Sequence, residues 1–128
     1  MKDVLTSPTL SALTSLFHAF NTHDAEAVAA HFTADAIFDR HAGTAPHGDR
    51  YTGPDAIAGA MRETFAAMPD AHWEVLGHWD CAPDLSVSHW MFTGTCAVGT
   101  QTRCEGIDLY TFEGGRISRK NAFRKQTA

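Results

Sequence analysis

Long apolar segments are missing from this sequence, and cysteine is scarce. No run approaches the roughly 20 apolar residues that cross a bilayer, and residues 1–10 lack the apolar block of a secretion signal. The cysteines, three in all, are too few and odd in number for a disulfide framework, which indicates reduced thiols. We therefore predict a cytoplasmic protein with no membrane partner.

Metal-binding motifs are missing too. Neither an HExxH motif nor paired CxxC motifs occur, although the chain has eight histidines. His72 and His78 share a predicted strand face, but six residues at about 3.3 Å each separate them by roughly 20 Å, too far to bind one ion together. The sequence predicts no metal site and no cofactor.

Basic residues are outnumbered by acidic ones, 10 to 15, which gives a net charge of −5. Nucleic-acid binding depends on a basic surface against the phosphates, so no nucleic-acid partner is expected. Five of the ten basic residues follow Gly115, where no acidic residue occurs. The end of the chain is therefore predicted to be locally cationic.

The chain, with 128 residues of which 44% are hydrophobic, is long enough to bury a core as one domain over residues 1–128. Capping residues and prolines mark where three helices begin and end. The predicted helices run from Ser7-Pro8 to Asn21, from Asp24 across Ala25, Val28 and Phe32, and from Gly53-Pro54 to Met68-Pro69-Asp70. A brief strand, Ala36–Asp39, and a polar loop, Arg40–Arg50, lie between the second and third helices.

After Pro69 the hydrophobic period changes from 3.6 to 2, which is typical of β-strands. The predicted strands are Ala71–Asp80, Leu85–Val98, Gln101–Glu113 and Arg116–Arg124. Helices followed by a strand meander predict an α+β fold, in which a curved, mostly antiparallel sheet packs over three N-terminal helices. This packing leaves a cavity between the sheet and the helices.

Short segments along nearly the whole chain resemble SnoaL-like polyketide cyclases and ketosteroid isomerases, which belong to the nuclear transport factor 2-like superfamily. The segments are AFNTHD at 19–24, AHFTADA at 30–36, YTGPDAI at 51–57, FTGT at 92–95, GIDLYTF at 106–112 and GRI at 115–117. The resemblance implies a cone-shaped, cystatin-like α+β roll, a homodimer, and an apolar pocket inside the cone. It implies no particular chemistry, because this fold hosts many activities.

The residues that carry known chemistry in this family are mostly replaced here. Ketosteroid isomerases use a tyrosine, a neutral aspartic acid and an aspartate base. The resemblance places the tyrosine at Leu16 and the base at Arg40, next to Asp39, and keeps only the aspartic acid, as Asp108. A late-strand aspartate of limonene epoxide hydrolases falls on Ala122. Neither activity is expected.

The hairpin around Gly99-Thr100 sets which residues share the face of Asp108. A two-residue turn there would pair Met91 with Asp108 and His89 with Tyr110. That face would be mostly apolar with one carboxyl and one imidazole group, as in many binding pockets. Its residues would be Val87, His89, Met91, Thr93, Asp108, Tyr110 and Phe112.

The same pairing would turn Trp90 and Phe92 away from the pocket. Large exposed aromatic side chains need a cover. We predict a homodimer through this face of the sheet; the alternative is a cover from helices or the last strand of the same chain.

The next hairpin allows two arrangements. A three-residue loop, Glu113-Gly114-Gly115, puts Lys120 and Arg124 on the Asp108 face, whereas a two-residue turn puts Asn121 there. We favour Lys120, whose pairing with Asp108 would suit an anionic or enolate-like group. A purely structural salt bridge is the alternative.

These patterns give a set of candidate site residues. The candidate catalytic residues are Asp108, His89 and Lys120, and the candidate ligand contacts are Leu16, Phe20, Arg40, Phe65, Met91, Tyr110 and Arg124. His89 is chosen for its titration range, although a structural histidine is the alternative. The loop over residues 40–50 is either a lid or a solvated connection.

Three functions fit this sequence. The first is a lyase, isomerase or cyclase that moves a proton next to a carbonyl group on a small, partly apolar substrate. The second is a non-catalytic module that binds a small apolar or anionic molecule. The third is a dimeric interaction scaffold, for which the cavity would be filled by side chains.

Overall fold

A computed structural model describes residues 7–127 of the chain. In chain order its elements are α1 (Pro8–Asn21), α2 (Ala25–Ala29), β1 (Phe32–Asp39), β2 (Arg50–Thr52), α3 (Pro54–Ala67), β3 (His72–Ala82), β4 (Leu85–Thr95), β5 (Gln101–Glu113) and β6 (Arg116–Arg124). The strands form a single sheet in the order β2-β1-β6-β5-β4-β3, in which only β1 and β6 run parallel. The predicted α+β fold is confirmed.

The helices begin where the local signals predicted. The Ser7 hydroxyl accepts a hydrogen bond from the Leu10 backbone N–H at 3.0 Å, and the Asp24 carboxylate accepts one from Ala27 at 3.0 Å. Proline follows the cap of α1 and of α3, where its missing N–H leaves no bond unmade. Caps of this kind are each worth about 1 kcal/mol.

The helices pack against one face of the sheet, which we call the inner face. The even-numbered residues from Ser86 to Phe92 in β4, and from Cys104 to Phe112 in β5, are buried on it. α1 contributes Leu13, Leu16, Phe17 and Phe20 to this core. Each such large side chain contributes roughly 1.5–3 kcal/mol when it leaves water, so this face anchors the fold.

The predicted pairing of β4 with β5 is wrong. Thr95 pairs with Gln101 across a five-residue loop, and Asp108 lies opposite Ser88, three positions from its predicted partner Met91. The loop closes with a Gly99 N–H bond to the Cys96 carbonyl at 2.8 Å, so Gly99 sits inside a longer loop. Because an odd register shift reverses every side chain, the predicted faces of β4 are exchanged.

Trp90 and Phe92 consequently face the core, each 3% exposed, and do not point away from it. Val87, His89, Met91 and Thr93 lie instead on the opposite face, which we call the outer face. The helices of the same chain cover Trp90 and Phe92, so the predicted homodimer through these two residues is wrong.

The hairpin between β5 and β6 differs from the predicted three-residue loop but keeps its consequence. Glu113 pairs with Arg116 around a two-residue Gly114-Gly115 turn, and both glycines have positive φ. A bulge at Ser118 then adds one residue to β6, so Lys120 lies opposite Tyr110 and shares the inner face with Asp108.

Two strand boundaries were missed. β2, with three residues, was not predicted as a strand. β1 begins at Phe32 rather than Ala36, so the prediction that Phe32 lies on the second helix is wrong; α2 ends at Ala29. Within residues 7–127, no helix is long and apolar enough to cross a membrane. Cys81, Cys96 and Cys104 are all free thiols, as predicted.

Candidate functional site

A cavity of about 170 Å³ lies between the helices and the inner face of the sheet. Its apolar lining consists of Phe20, Phe38, Met61, Ala67, Met68, Trp73, Trp90, Phe92 and Ala122. Its polar lining consists of Arg40, His41, Thr64, Lys120 and Arg124. The cavity is therefore largely apolar, with five aromatic lining residues, and among residues 7–127 every charged side chain that lines it is basic.

Trp90 owes its position to the glycine across from it on β5. A Cβ atom on Gly106 would lie 2.3 Å from the Trp90 ring, so no other residue fits without moving the indole. Seated over Gly106, the Trp90 Nε1–H donates a hydrogen bond to Asp108 Oδ2 at 3.1 Å. The aromatic wall and the buried carboxylate are thus one connected unit.

Asp108 lies behind this wall and is 1% exposed. Its Oδ2 also accepts a hydrogen bond from the Tyr110 hydroxyl at 2.8 Å, and Lys120 Nζ lies 3.1 Å from its Oδ1. Burial, followed by the charge of Asp108, raises the pKa of Tyr110 well above its usual value, so the phenol remains a hydrogen-bond donor. Asp108 does not line the cavity, whereas its two neighbours Lys120 and Trp90 do.

Lys120 is the polar group at the floor of the cavity. Its Nζ lies 4.7, 5.5 and 5.7 Å from the ring centres of Phe38, Phe20 and Tyr110, so aromatic faces and one carboxylate surround the ammonium group. Its approach to Asp108 Oδ1 is an ion pair without hydrogen-bond geometry, and that oxygen accepts no hydrogen bond within residues 7–127. Apart from this ion pair, Lys120 Nζ meets no hydrogen-bond acceptor over the same range.

Two arginines and a histidine lie at the mouth of the cavity. The Arg124 guanidinium carbon lies 5.3 Å from the centre of the Phe92 ring. Neither Arg40 nor Arg124 forms a salt bridge within the described part of the chain. Burial, followed by the charges of Arg124, Arg40 and Lys120, lowers the pKa of His41 to about 4, so its imidazole is neutral near pH 7.

Asp39, next to Arg40, belongs to a different cluster. Its carboxylate is 0% exposed and accepts hydrogen bonds from Arg50 Nε at 2.7 Å, Arg50 Nη2 at 3.0 Å and Arg119 Nη2 at 2.8 Å. The Arg50 hydrogen bond is the main reason that the pKa of Asp39 is lowered. This aspartate fixes both ends of the 40–50 loop and offers no free oxygen as a base.

The structure brings together some of the predicted site residues. Phe20, Arg40, Lys120 and Arg124 line the cavity. Asp108 and Tyr110 lie behind it, as described above. Their roles in binding or catalysis remain predictions.

Other candidates lie elsewhere. Leu16 is fully buried in the core, and Phe65 stacks on His23 with ring centres 4.3 Å apart. The predicted pocket positions of His89 and Met91 are wrong, because the corrected β4–β5 register puts both on the outer face. There His89 Nε2 lies 2.8 Å from Glu105 Oε1 in a partly exposed pair.

Trp73, Trp90, Phe92 and His41 line the cavity but were not predicted to. One signal was present: the four aromatic side chains of β4 and β5 are all even-numbered, whereas three of their four charged residues are odd-numbered. A buried face takes the aromatic set rather than the charged one. The position of His41 depends on how the loop folds back, which carries no comparable pattern.

The position and sequence of these elements match a known family. A family model for the SnoaL-like domain matches residues 13–120. The chain belongs to the SnoaL-like family. No curated protein sequence is detectably similar to this SnoaL-like domain.

Solved structures share the fold at low identity. A ketosteroid isomerase-like protein from Catenulispora acidiphila, in complex with trimethylamine, is 20% identical with a TM-score of 0.79, over 88% of this chain and 83% of its own. A Mycobacterium tuberculosis protein in complex with estradiol-17beta-hemisuccinate is 20% identical with a TM-score of 0.78, over 92% and 94%. A nuclear transport factor 2-like protein from Burkholderia pseudomallei is 16% identical with a TM-score of 0.83, over 94% of this chain and 92% of its own. These similarities show the fold alone.

Proposed function

We propose that this SnoaL-like domain binds a small, flat, partly apolar molecule, and that Lys120 receives a carbonyl or anionic oxygen of that molecule. The observation that carries the proposal is the state of the Lys120 ammonium group. It is 7% exposed, lines the cavity, and, apart from its ion pair with Asp108, meets no hydrogen-bond acceptor within residues 7–127. Buried polar groups in proteins nearly always have a hydrogen-bond partner, and a ligand oxygen in the cavity would supply one.

The rest of the cavity supports a flat ligand. Aromatic rings from α1, β1, β3 and β4 form its walls, and such walls favour planar, apolar molecules. The two related structures with bound trimethylamine and estradiol-17beta-hemisuccinate are consistent with a small organic ligand in this fold.

In this proposal Asp108 is a positioning residue. Two donors hold Oδ2, and the Lys120 ammonium faces Oδ1, so the carboxylate holds the ammonium group in place without touching the ligand. A fixed ammonium in an apolar cavity stabilises negative charge that develops on a carbonyl oxygen.

A second candidate, proton transfer next to that carbonyl group, is favoured by His41. Its neutral imidazole lines the same cavity and can accept a proton. With Lys120 stabilising the enolate, the domain would act as an isomerase, lyase or cyclase. Exchange of the methyl protons of 2-acetylnaphthalene in D₂O, followed by ¹H NMR, separates the two functions: catalysed exchange that is lost in His41→Gln supports the enzyme, and no exchange above buffer supports the binding module.

Binding itself is tested with the three tryptophans. Trp73 and Trp90 line the cavity, whereas Trp79 lies on the outer face and is 52% exposed. Titration of ¹⁵N-labelled protein with 2-acetylnaphthalene should shift the indole N–H signals of Trp73 and Trp90 and leave that of Trp79 unchanged. Equal shifts at all three, or none at saturating ligand, would contradict the proposal.

We also propose that the outer face forms a homodimer interface. Trp79, Ile107 and Phe123 are 52%, 37% and 48% exposed on this face, an apolar surface that the helices do not cover. This replaces the predicted interface through Trp90 and Phe92. Light scattering at micromolar concentration should give twice the mass of one chain. In Phe123→Glu the measured mass should fall to that of a single chain. A monomeric wild type would contradict the dimer.

A further inference from the structure

Two guanidinium groups at the cavity mouth have no role in the binding proposed above. Arg40 and Arg124 both line the cavity, and within residues 7–127 neither pairs with a carboxylate. From this arrangement we infer that the ligand carries a carboxylate, which Arg40 and Arg124 bind at the mouth while its carbonyl group meets Lys120. This inference rests on the proposed function and narrows its ligand to an aromatic keto acid.

The balance of charge is the first argument. Within residues 7–127 no acidic side chain lines the cavity, and Asp108, the buried carboxylate behind it, is paired with Lys120 alone. Two positive charges therefore remain over an apolar cavity. A guanidinium group binds a planar carboxylate through two parallel hydrogen bonds, which suits arginine better than lysine for this purpose.

The spacing along β6 is the second argument. Arg124 follows Lys120 by four residues, which places their backbones roughly 13 Å apart at about 3.3 Å per residue. Arg40 follows Asp39, which pairs with Asn121, so it lies near the same end of the strand as Arg124. A ligand that reaches both groups needs a carbonyl and a carboxylate at opposite ends of a unit about as long as naphthalene.

The surroundings of His41 are the third argument. Its neutral imidazole lines the mouth with both arginines, where it can donate a hydrogen bond without adding charge. Packing Arg124 against the Phe92 ring holds the guanidinium group near the aromatic wall. The mouth thus combines fixed donors with partial exclusion of water, which strengthens binding of an anion.

The test compares two matched ligands by calorimetry, 6-acetyl-2-naphthoate and its neutral amide, 6-acetyl-2-naphthamide. The wild type should bind the carboxylate at least about tenfold more tightly, as expected for charge-assisted hydrogen bonds. Arg40→Gln and Arg124→Gln should each weaken the carboxylate about tenfold and leave the amide within about twofold. Unchanged amide binding also shows that each variant has kept its cavity.

A matched control and the tryptophan signals separate the possible failures. Arg116→Gln removes the same charge from the exposed first residue of β6 and should leave the binding of both ligands unaffected. Equal wild-type affinity for carboxylate and amide, or equal weakening by Arg116→Gln, would overturn the inference while the proposed function stands. If neither ligand shifts the Trp73 and Trp90 signals, the proposed function itself fails.

Discussion

Two buried aspartates in this molecule, Asp39 and Asp108, differ in the basic side chains that pair with them. Asp39 and Asp108 are 0% and 1% exposed, and each is paired with basic side chains. Asp39 has hydrogen bonds on both oxygens from Arg50 and Arg119, whose side chains are 38% and 44% exposed. Asp108 faces one cation, Lys120, which is nearly as buried as itself and lines the cavity.

The difference is the physical reason to place the proposed binding site at Asp108 and Lys120 and not at Asp39. The cluster at Asp39 satisfies its own hydrogen bonds, and water reaches its arginines, so a ligand would add nothing. At Asp108 the carboxylate leaves the ammonium group of Lys120 without a hydrogen-bond acceptor on the cavity side. Burial alone does not distinguish the two; unused donors that face a cavity do.

The largest effect is expected from Asp108→Asn. Loss of this charge leaves the buried Lys120 ammonium unpaired, which should lower the free energy of unfolding by about 3–5 kcal/mol. Urea denaturation measures this. The double variant Asp108→Asn/Lys120→Met removes both charges and should regain most of the loss. If the double variant is less stable than the single one, the two residues do not form the pair described here.

A smaller loss is expected from Asp39→Asn. Its arginine partners can turn to water when the charge is removed, so the free energy of unfolding should fall by about 2 kcal/mol. The affinity for 2-acetylnaphthalene should stay within about twofold, because Asp39 and its partners do not line the cavity. Loss of binding by a folded Asp39→Asn variant would remove the distinction between the two aspartates.

Gly106→Ala should destabilise the protein near Asp108 and leave the Asp39 cluster unchanged. The added methyl group would press on the Trp90 ring and on the Phe123 backbone carbonyl, and would move the indole N–H away from Asp108, which costs about 1–3 kcal/mol for overpacking. Gly59 provides the control, because a Cβ atom there would meet nothing within 4 Å. Gly59→Ala on α3 should stabilise the protein by about 0.5–1 kcal/mol. Thermal denaturation of the two variants compares them directly.

The smallest effect concerns His41 and pH. Its pKa of about 4 in the folded protein lies below the usual 6.5, so the unfolded chain binds more protons between these values. Stability should therefore fall as pH drops from about 6.5 to about 4. The ring is partly exposed, so the loss should stay below about 1 kcal/mol. In His41→Gln this part of the pH dependence should disappear. The stability that Asp39 contributes should remain in that variant, because the pKa of Asp39 is lowered and its contribution is lost only below about pH 3.8.

Features that depend on neighbouring residues in the chain were predictable from the sequence. Ser7 and Asp24 cap helices through bonds that span three residues, so their role needs no knowledge of the fold. The β4–β5 register was not predictable in this way, because Gly99 suits both a two-residue turn and the five-residue loop that forms. That single ambiguity exchanged the faces of His89 and Trp90.

The inner-face position of Lys120 was predicted through a different loop from the one that forms. The three-residue loop would remove Glu113 from β5, whereas the bulge adds one residue to β6, so the two registers differ by two positions and give Lys120 the same face. Arg40 and Arg124 were proposed as ligand contacts, but their convergence with His41 at one cavity mouth depends on how β1 and β6 pair. Such long-range pairing leaves little trace in a single sequence.

The most direct test of the account is the carbonyl signal of bound ¹³C-labelled 2-acetylnaphthalene. An ammonium group that donates to the carbonyl oxygen should move the carbonyl ¹³C resonance downfield when the wild type is saturated. That displacement should vanish in Lys120→Met and in the Asp108→Asn/Lys120→Met double variant, and persist in Lys125→Met, which changes an exposed lysine on the same chain end. The same displacement in all four proteins would contradict the claim that Lys120 is the group that meets the ligand.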